Sequence, residues 1–144
     1  MSKKVHEVMT TEPRCVRRAA TVRSAAELME TEDVGSLPVI DEGGDLVGIV
    51  TDRDIVVRVV AAGHNVDQAR VSDILTEHPI LVFPDDPLDE AMELMAKHQV
   101  RRLPVVYDTQ LVGMLAQADV AQEAKDKQAG QLLEAISQEP LADG

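Results

Sequence analysis

The chain has 144 residues, a formal net charge of -12 and 44% hydrophobic residues, which include one Phe, one Tyr and no Trp. This acidic balance argues against a free-standing nucleic-acid-binding protein, because contact with a phosphate backbone needs a surplus of Lys and Arg. No apolar run is long enough for a signal peptide or a membrane span, and the single cysteine, Cys15, excludes an intrachain disulfide. We therefore expect a cytoplasmic protein with an aliphatic core and with neither nucleic acid nor a membrane as a partner.

The first half of the chain predicts an extended segment, a helix, a strand hairpin and a second helix, in that order. The extended segment is Cys15-Val16, and the helix spans about Thr21 to Glu32, where apolar residues recur at helical spacing behind a good N-cap. Two short β-branched runs, Leu37–Ile40 and Leu46–Val50, predict strands. The segment between them, Asp41–Asp45, contains two glycines and predicts a tight turn.

The second half of the chain repeats this order of elements. Val100–Val106 matches Val34–Ile40, and Leu111–Leu115 matches the second strand of the first copy. An extended segment at Ile80–Phe83 and a helix at Pro87–His98 precede them. Each copy is therefore a β-α-β-β-α unit, and we expect the two copies to pack together as one unit.

Two such units, each with a Leu-Pro-Val strand and a Val-Gly strand that leads into an Asp-bearing helix, resemble a tandem pair of cystathionine-beta-synthase (CBS) domains. The resemblance covers about residues 4–125 and is strongest to stand-alone bacterial two-CBS proteins of the hypoxic-response type. It implies an α/β fold in which two repeats pack through their sheets about a pseudo-twofold axis, with two clefts between them. We expect CBS domain 1 at residues 4–63, a connector at 64–70, CBS domain 2 at 71–125 and a C-terminal helix and tail at 126–144.

The first copy ends in Gly48-Ile-Val-Thr-Asp-Arg-Asp54, which matches the family signature Gly-x-x-Thr-x-x-Asp. In the family the Asp accepts hydrogen bonds from ribose hydroxyls and the Thr donates to phosphate, and the resemblance implies these roles for Asp54 and Thr51. An Asp three residues after a Thr also lies one helical turn away, on the same side of the helix. The alternative is that Thr51 is only an N-cap and Asp54 only a favourable acid in the first turn.

Arg101 and Arg102 come directly before the Leu-Pro-Val strand of the second copy. In ligand-binding members of the family, basic groups at this position point across the cleft at the phosphate that the other copy holds. The equivalent residues of the first copy, Gly35 and Ser36, carry no charge. The alternative is that both arginines are solvated or form salt bridges with nearby carboxylates.

The second copy departs from the signature, because it keeps Asp119 but has Ala116 where the first copy has its Thr. Alanine can neither cap a helix nor donate to phosphate, so we expect one good site per chain. For adenine, the resemblance implies an apolar slot formed by the extended segment at Cys15 and Val16 and by the strand near Leu37.

The sequence thus favours a regulatory or sensor module that binds an adenosyl ligand and requires no cofactor. The arginines favour AMP, ADP or ATP, whereas S-adenosylmethionine and dinucleotides stay open. A homodimer and an unidentified effector protein are the expected protein partners. A ligand-free interaction scaffold is the alternative, while an enzyme or a metal site has no support from the four widely separated histidines, which lie in no catalytic or metal-binding signature: His6, His64, His78 and His98.

Overall fold

The computed structural model describes residues 3–138, with side chains described through residue 128. The strands and helices are, in chain order, β1 (Thr10–Thr11), β2 (Val16–Arg17), α1 (Val22–Glu32), β3 (Ser36–Ile40), β4 (Leu46–Thr51), α2 (Asp52–Ile55), α3 (Leu88–His98), β5 (Arg102–Tyr107), β6 (Gln110–Ala116) and α4 (Gln117–Gln138). A π-helical turn, Val56–Val60, continues α2. Among the described residues, no helix is long and apolar enough to cross a membrane.

The strands form two three-stranded sheets, in the orders β2-β3-β4 and β1-β6-β5. Each sheet is built on an antiparallel hairpin with an irregularity at the same place, between Val39 and Ile40 in one hairpin and between Val105 and Val106 in the other. Strand β2 runs parallel to β3, whereas the corresponding pairing in the second half is a single bridge from Val82. The predicted α/β fold with two similar units is confirmed.

The first residues of each repeat pack against the other repeat. The backbone N–H of Val5 donates to Asp86 O at 2.9 Å, and the N–H of Val71 donates to Ala20 O at 2.9 Å. Both valines are fully buried, Val5 in the hydrophobic cluster of the second repeat and Val71 in that of the first. The two repeats are therefore tied together through exchanged segments as well as through contact between their surfaces.

The predicted first helix of each repeat is confirmed to within one residue. Thr21 caps α1, since its Oγ1 accepts a hydrogen bond from Ser24 N at 3.1 Å. Pro87 lies just before α3 instead of in its first turn, and it supplies no side-chain cap. Helix α4 continues without a break through the region predicted as a separate C-terminal helix, and the predicted tail at 139–144 lies outside the described residues.

The connector between the repeats is ordered by contacts with α1. Val66 O accepts a hydrogen bond from Arg23 N at 3.0 Å, and the Arg23 guanidinium forms an ion pair with the Asp67 carboxylate. The hydrogen bond from Arg23 lowers the pKa of Asp67 below its ordinary value. The buried hydrophobic residues on either side of the connector are all aliphatic or Met, as the composition predicts.

Candidate functional site

A cavity of about 800 Å³ lies between the two repeats. The first repeat contributes Thr51 and Arg53, at the junction of β4 and α2. The second repeat contributes Ile80, Arg101 and Arg102, from its extended segment and from the start of β5. We call this cavity the larger cleft, and its volume is in the range of small-molecule and cofactor sites.

Thr51 and Asp54 form a reciprocal capping box at the start of α2. Thr51 Oγ1 accepts from Asp54 N at 3.0 Å, and Asp54 Oδ2 accepts from Thr51 N at 2.9 Å. The other carboxylate oxygen of Asp54 lies 3.8 Å from Arg58 Nε, and the Asp54 side chain is 12% exposed. Thr51 lines the larger cleft, whereas Asp54 does not. The capping bonds that the alternative expects are thus present, and a phosphate-binding role of Thr51 stays a prediction.

Arg101 and Arg102 both line the larger cleft, as Thr51 does. Arg101 O accepts a hydrogen bond from Gln117 N at 2.8 Å, which fixes the backbone of this arginine beside the start of α4. Both side chains are exposed, and neither forms an ion pair among the residues with described side chains. Salt bridges therefore have no partner in this part of the chain, whereas the exposure of both side chains fits the alternative that they are solvated.

A smaller cleft of about 440 Å³ lies at the symmetry-related place, and it includes Leu37 and Asp119. Arg102 lines both clefts. The other arginine of the smaller cleft, Arg14, is paired with Glu32 at 3.5 Å between Nε and Oε2. This cleft is therefore poorer in available positive charge than the larger one.

The residues predicted for adenine do not meet those predicted for phosphate. Leu37 lines the smaller cleft, and neither Cys15 nor Val16 lines either cleft. Val16 is buried in the core of the first repeat, whereas Cys15 is half-buried, and burial raises the pKa of its thiol above the ordinary value. In the larger cleft, the corresponding segment of the second repeat is present instead, including Pro79 and Ile80.

Sequence reasoning missed Arg53 and His78, which also line the larger cleft. Arg53 lies between Thr51 and Asp54 in the signature, and this place in the sequence could have identified it as a residue of the cleft. His78 lies in the left-handed region at φ 56°, as does Glu12 at φ 51° at the matching place before the first repeat. In residues 3–128, no group of three or more His, Cys, Asp or Glu side chains is placed to hold a metal ion.

Comparison with protein families identifies two CBS domains, at residues 5–61 and 71–126. The chain is 38% identical over 138 residues to a CBS domain-containing protein of Bacillus subtilis, YhcV, covering 95% of this chain and 97% of that protein. It is 32% identical over 130 residues to hypoxic response protein 1 of Mycobacterium tuberculosis, covering 90% of this chain and 91% of that protein.

Solved structures with the same fold include that of hypoxic response protein I with two coordinated zinc ions, with a TM-score of 0.77 at 32% identity over 83% of this chain and 98% of that one. The structure of CBSX2 in complex with AMP gives a TM-score of 0.76 at 30% identity, covering 87% and 98%. The CBS domain pair of MJ0100, in complex with 5-methylthioadenosine and S-adenosyl-L-methionine, gives 0.73 at 26% identity, covering 88% and 99%. The last two of these three structures contain adenosyl compounds.

Proposed function

The chain belongs to the CBS-domain family, and from that premise we propose that it is a cytoplasmic regulatory module that binds an adenine nucleotide in the larger cleft. The proposal assigns no chemical reaction to the chain. AMP, ADP and ATP are favoured over S-adenosylmethionine because the cleft carries unpaired guanidinium groups, which suit phosphate oxygens. AMP in CBSX2 supports this ligand class.

The observation that carries the proposal is that one cavity joins Thr51 of the first repeat to Arg101 and Arg102 of the second. A hydroxyl on one wall and two guanidinium groups on the other can together hold a phosphate group. Asp54 accepts the Thr51 N–H through Oδ2, so contact with ribose requires that Asp54 Oδ1, which lies 3.8 Å from Arg58 Nε and does not line the cleft here, turns toward the ligand. Pro79 and Ile80 of the second repeat offer apolar surface to adenine.

Ligand binding would regulate the module because it is thermodynamically linked to the relative arrangement of the two repeats. A ligand that touches both repeats stabilises the arrangement of the repeats that it binds, by about 2.7 kcal/mol at a free concentration of about one hundred times Kd. The exchanged segments transmit such a change, because Val5 and Val71 each belong to the core of the other repeat. The receiver of the signal would be a separate effector protein.

The test is a calorimetric and thermal-shift titration with AMP, ADP, ATP, NADH and S-adenosylmethionine. The native chain is compared with Asp54→Ala and Arg102→Ala, and with Arg18→Ala as a control at an exposed arginine outside both clefts. We expect saturable binding near one equivalent per chain that is weakened in the first two variants and kept in the third. Failure of all five ligands to bind would overturn the proposal.

The second candidate function is a ligand-free interaction scaffold. It is favoured by Ala116, which removes the Thr of the second signature, and by the capping bonds that already occupy Thr51 and Asp54. Under this alternative the clefts would stay empty and partner proteins would bind the module surface. The titration above separates the two candidates.

We also propose that the module is a homodimer that associates through helices. Three valines of the π-helical turn support this proposal, because Val56, Val57 and Val60 are 57%, 48% and 62% exposed. Apolar side chains clustered on one exposed turn are typical of an interface and not of a solvated surface.

A further inference from the structure

Arg58 contacts the Asp54 carboxylate and a backbone carbonyl outside both clefts. Its Nε lies 3.8 Å from Asp54 Oδ1, and its Nη1 donates to Ile74 O at 3.3 Å. None of these three residues lines the larger or the smaller cleft. The Asp54 side chain is 12% exposed, so water screens its pair with Arg58 less than it would screen a pair on an open surface.

Both oxygens of the Asp54 carboxylate are engaged in this arrangement. Oδ2 accepts from Thr51 N at 2.9 Å, and Oδ1 is the oxygen that pairs with Arg58. The hydrogen bond to Oδ2 can persist when a nucleotide binds, whereas turning Oδ1 toward a ribose hydroxyl separates it from Arg58. Ribose and Arg58 therefore compete for one oxygen atom.

The second repeat has the matching aspartate without such a partner. Glu123 occupies the position that matches Arg58, four residues after Asp119, and its Oε1 pairs with Lys3 Nζ at 2.9 Å. Asp119 forms no ion pair among the residues with described side chains, and it lines the smaller cleft. The aspartate that an arginine holds thus lies outside the clefts, whereas the aspartate without an arginine lines one.

From these contacts we propose that Arg58 is a positioning residue that restrains nucleotide binding by holding Asp54 away from the ribose. The proposal rests on the proposed function and adds an internal competitor to it. A nucleotide in the larger cleft separates Asp54 from Arg58, so it binds more weakly than it would without this pair. Ile74 lies at the start of the second repeat and packs in the core of the first, so Arg58 also connects Asp54 to an exchanged segment.

Substitutions of Arg58 separate the ion pair from the cap. Arg58→Gln removes the charge and leaves the capping box of Thr51 and Asp54 in place. The Arg58 side chain is 53% exposed, so the fold should tolerate this replacement. Arg58→Lys is the conservative variant, because it keeps the positive charge. Arg18→Gln is the matched control, because Arg18 is exposed and lines neither cleft.

The test measures Kd of the full chain by calorimetry for AMP, ADP and ATP and for their 2′,3′-dideoxy forms, which lack both ribose hydroxyls. Arg58→Gln should bind the ribonucleotides about fivefold more tightly than the native chain, the effect of one partly exposed ion pair, and should bind the dideoxy forms unchanged. Arg58→Lys and Arg18→Gln should stay within about twofold of the native chain for every ligand.

A double-mutant cycle with Asp54→Asn shows whether Arg58 acts through Asp54. In the Asp54→Asn chain, Arg58→Gln should change the affinity for ribonucleotides by less than about twofold, because no charged pair is left to break. A general electrostatic effect would have the opposite sign, since loss of a positive charge weakens the binding of an anion. Circular dichroism and urea denaturation check that each variant is folded.

Unchanged or weaker ribonucleotide binding in Arg58→Gln, or an equal gain for the dideoxy forms, would overturn the inference and leave the proposed function standing. A gain that persists in the Asp54→Asn chain would also overturn it, because Arg58 would then act without Asp54. Ribonucleotide binding that is detected only in Arg58→Gln would support it. If neither the native chain nor Arg58→Gln binds AMP, ADP or ATP, both proposals fail.

Discussion

Thr51 and Asp54 hold each other through two reciprocal hydrogen bonds, of 3.0 Å from Asp54 N to Thr51 Oγ1 and of 2.9 Å from Thr51 N to Asp54 Oδ2. The same two side chains are the proposed contacts to phosphate and ribose. Their contribution to stability must therefore be separated from their contribution to binding before either role is assigned.

Substitutions at Thr51 and Asp54 should separate these roles. Thr51→Ala removes the cap and should lower the free energy of unfolding by about 1 kcal/mol, whereas Thr51→Ser keeps the hydroxyl and should retain stability and binding. Asp54→Asn keeps an oxygen for the Thr51 N–H, so stability should fall little while nucleotide affinity falls about tenfold, because the charge is lost. Urea denaturation and calorimetry measure the two effects. Unchanged affinity in Asp54→Asn would limit Asp54 to capping.

Gly48 and Gly113 occupy matching positions in β4 and β6, but their replacement should have unequal costs. A Cβ at Gly48 would lie 2.5 Å from the Thr76 carbonyl oxygen, which is fixed by its hydrogen bond from Ile49 N at 3.0 Å. A Cβ at Gly113 would meet Met9 Sδ at 2.5 Å, and a flexible Met side chain can move. We expect Gly48→Ala to cost about 3 kcal/mol and Gly113→Ala about 1 kcal/mol. Chemical denaturation measures both, and equal costs would contradict this account.

Much of the fold was predictable because the residues that determine where a helix or strand begins lie close together in the sequence. Thr21 predicts the start of α1, since an N-cap and the apolar spacing behind it lie within one helical turn. The repeat then predicts the second unit by comparison with the first. Continuity of α4 was less accessible, because the stretch after Gln117 carries no regular apolar stripe that would mark one long helix.

The exchange of segments between repeats could not be predicted from pattern. Val5 and Val71 lie in three-residue turns that are too short to show periodicity, so nothing in the sequence says which core they enter. The resemblance groups Cys15, Val16 and Leu37 in one adenine slot, whereas Leu37 lines the smaller cleft and neither Cys15 nor Val16 lines either cleft.

The exposed valines of the π-helical turn lead to a prediction about assembly. If the homodimer forms through this turn, Val56→Lys combined with Val60→Lys should convert it to a monomer, because two charges would be buried in the interface. Tyr107→Lys is the control, since Tyr107 is 67% exposed on the second hairpin and distant in sequence. Sedimentation velocity measures the state of association, with circular dichroism as the check on folding. A double variant that stays dimeric would exclude this face.

The Cys15 thiol should make stability depend on pH in the alkaline range. Burial raises its pKa in the folded chain, and the charge of Arg17 opposes this shift in part. A raised folded pKa means that the contribution to stability is complete below the pKa of the unfolded thiol, about 8.5, and is lost as the pH rises through the folded value. As the pH rises above about 8.5, the native chain should therefore lose more stability than Cys15→Ala. Parallel pH curves for the two chains would contradict the assignment.

The smaller cleft should become a nucleotide site if its two deficits are repaired together. Ala116→Thr restores the hydroxyl that Thr51 supplies in the larger cleft, and Ser36→Arg restores the basic group at the position that matches Arg102. We expect calorimetry of the double variant to raise the stoichiometry from about one to about two nucleotides per chain, the second weaker because the cleft contains several carboxylates. The control combines Ala116→Val with Ser36→Arg, because Val has nearly the shape of Thr but lacks its hydroxyl. A stoichiometry that stays at one in the repaired chain would contradict the assignment of these two deficits.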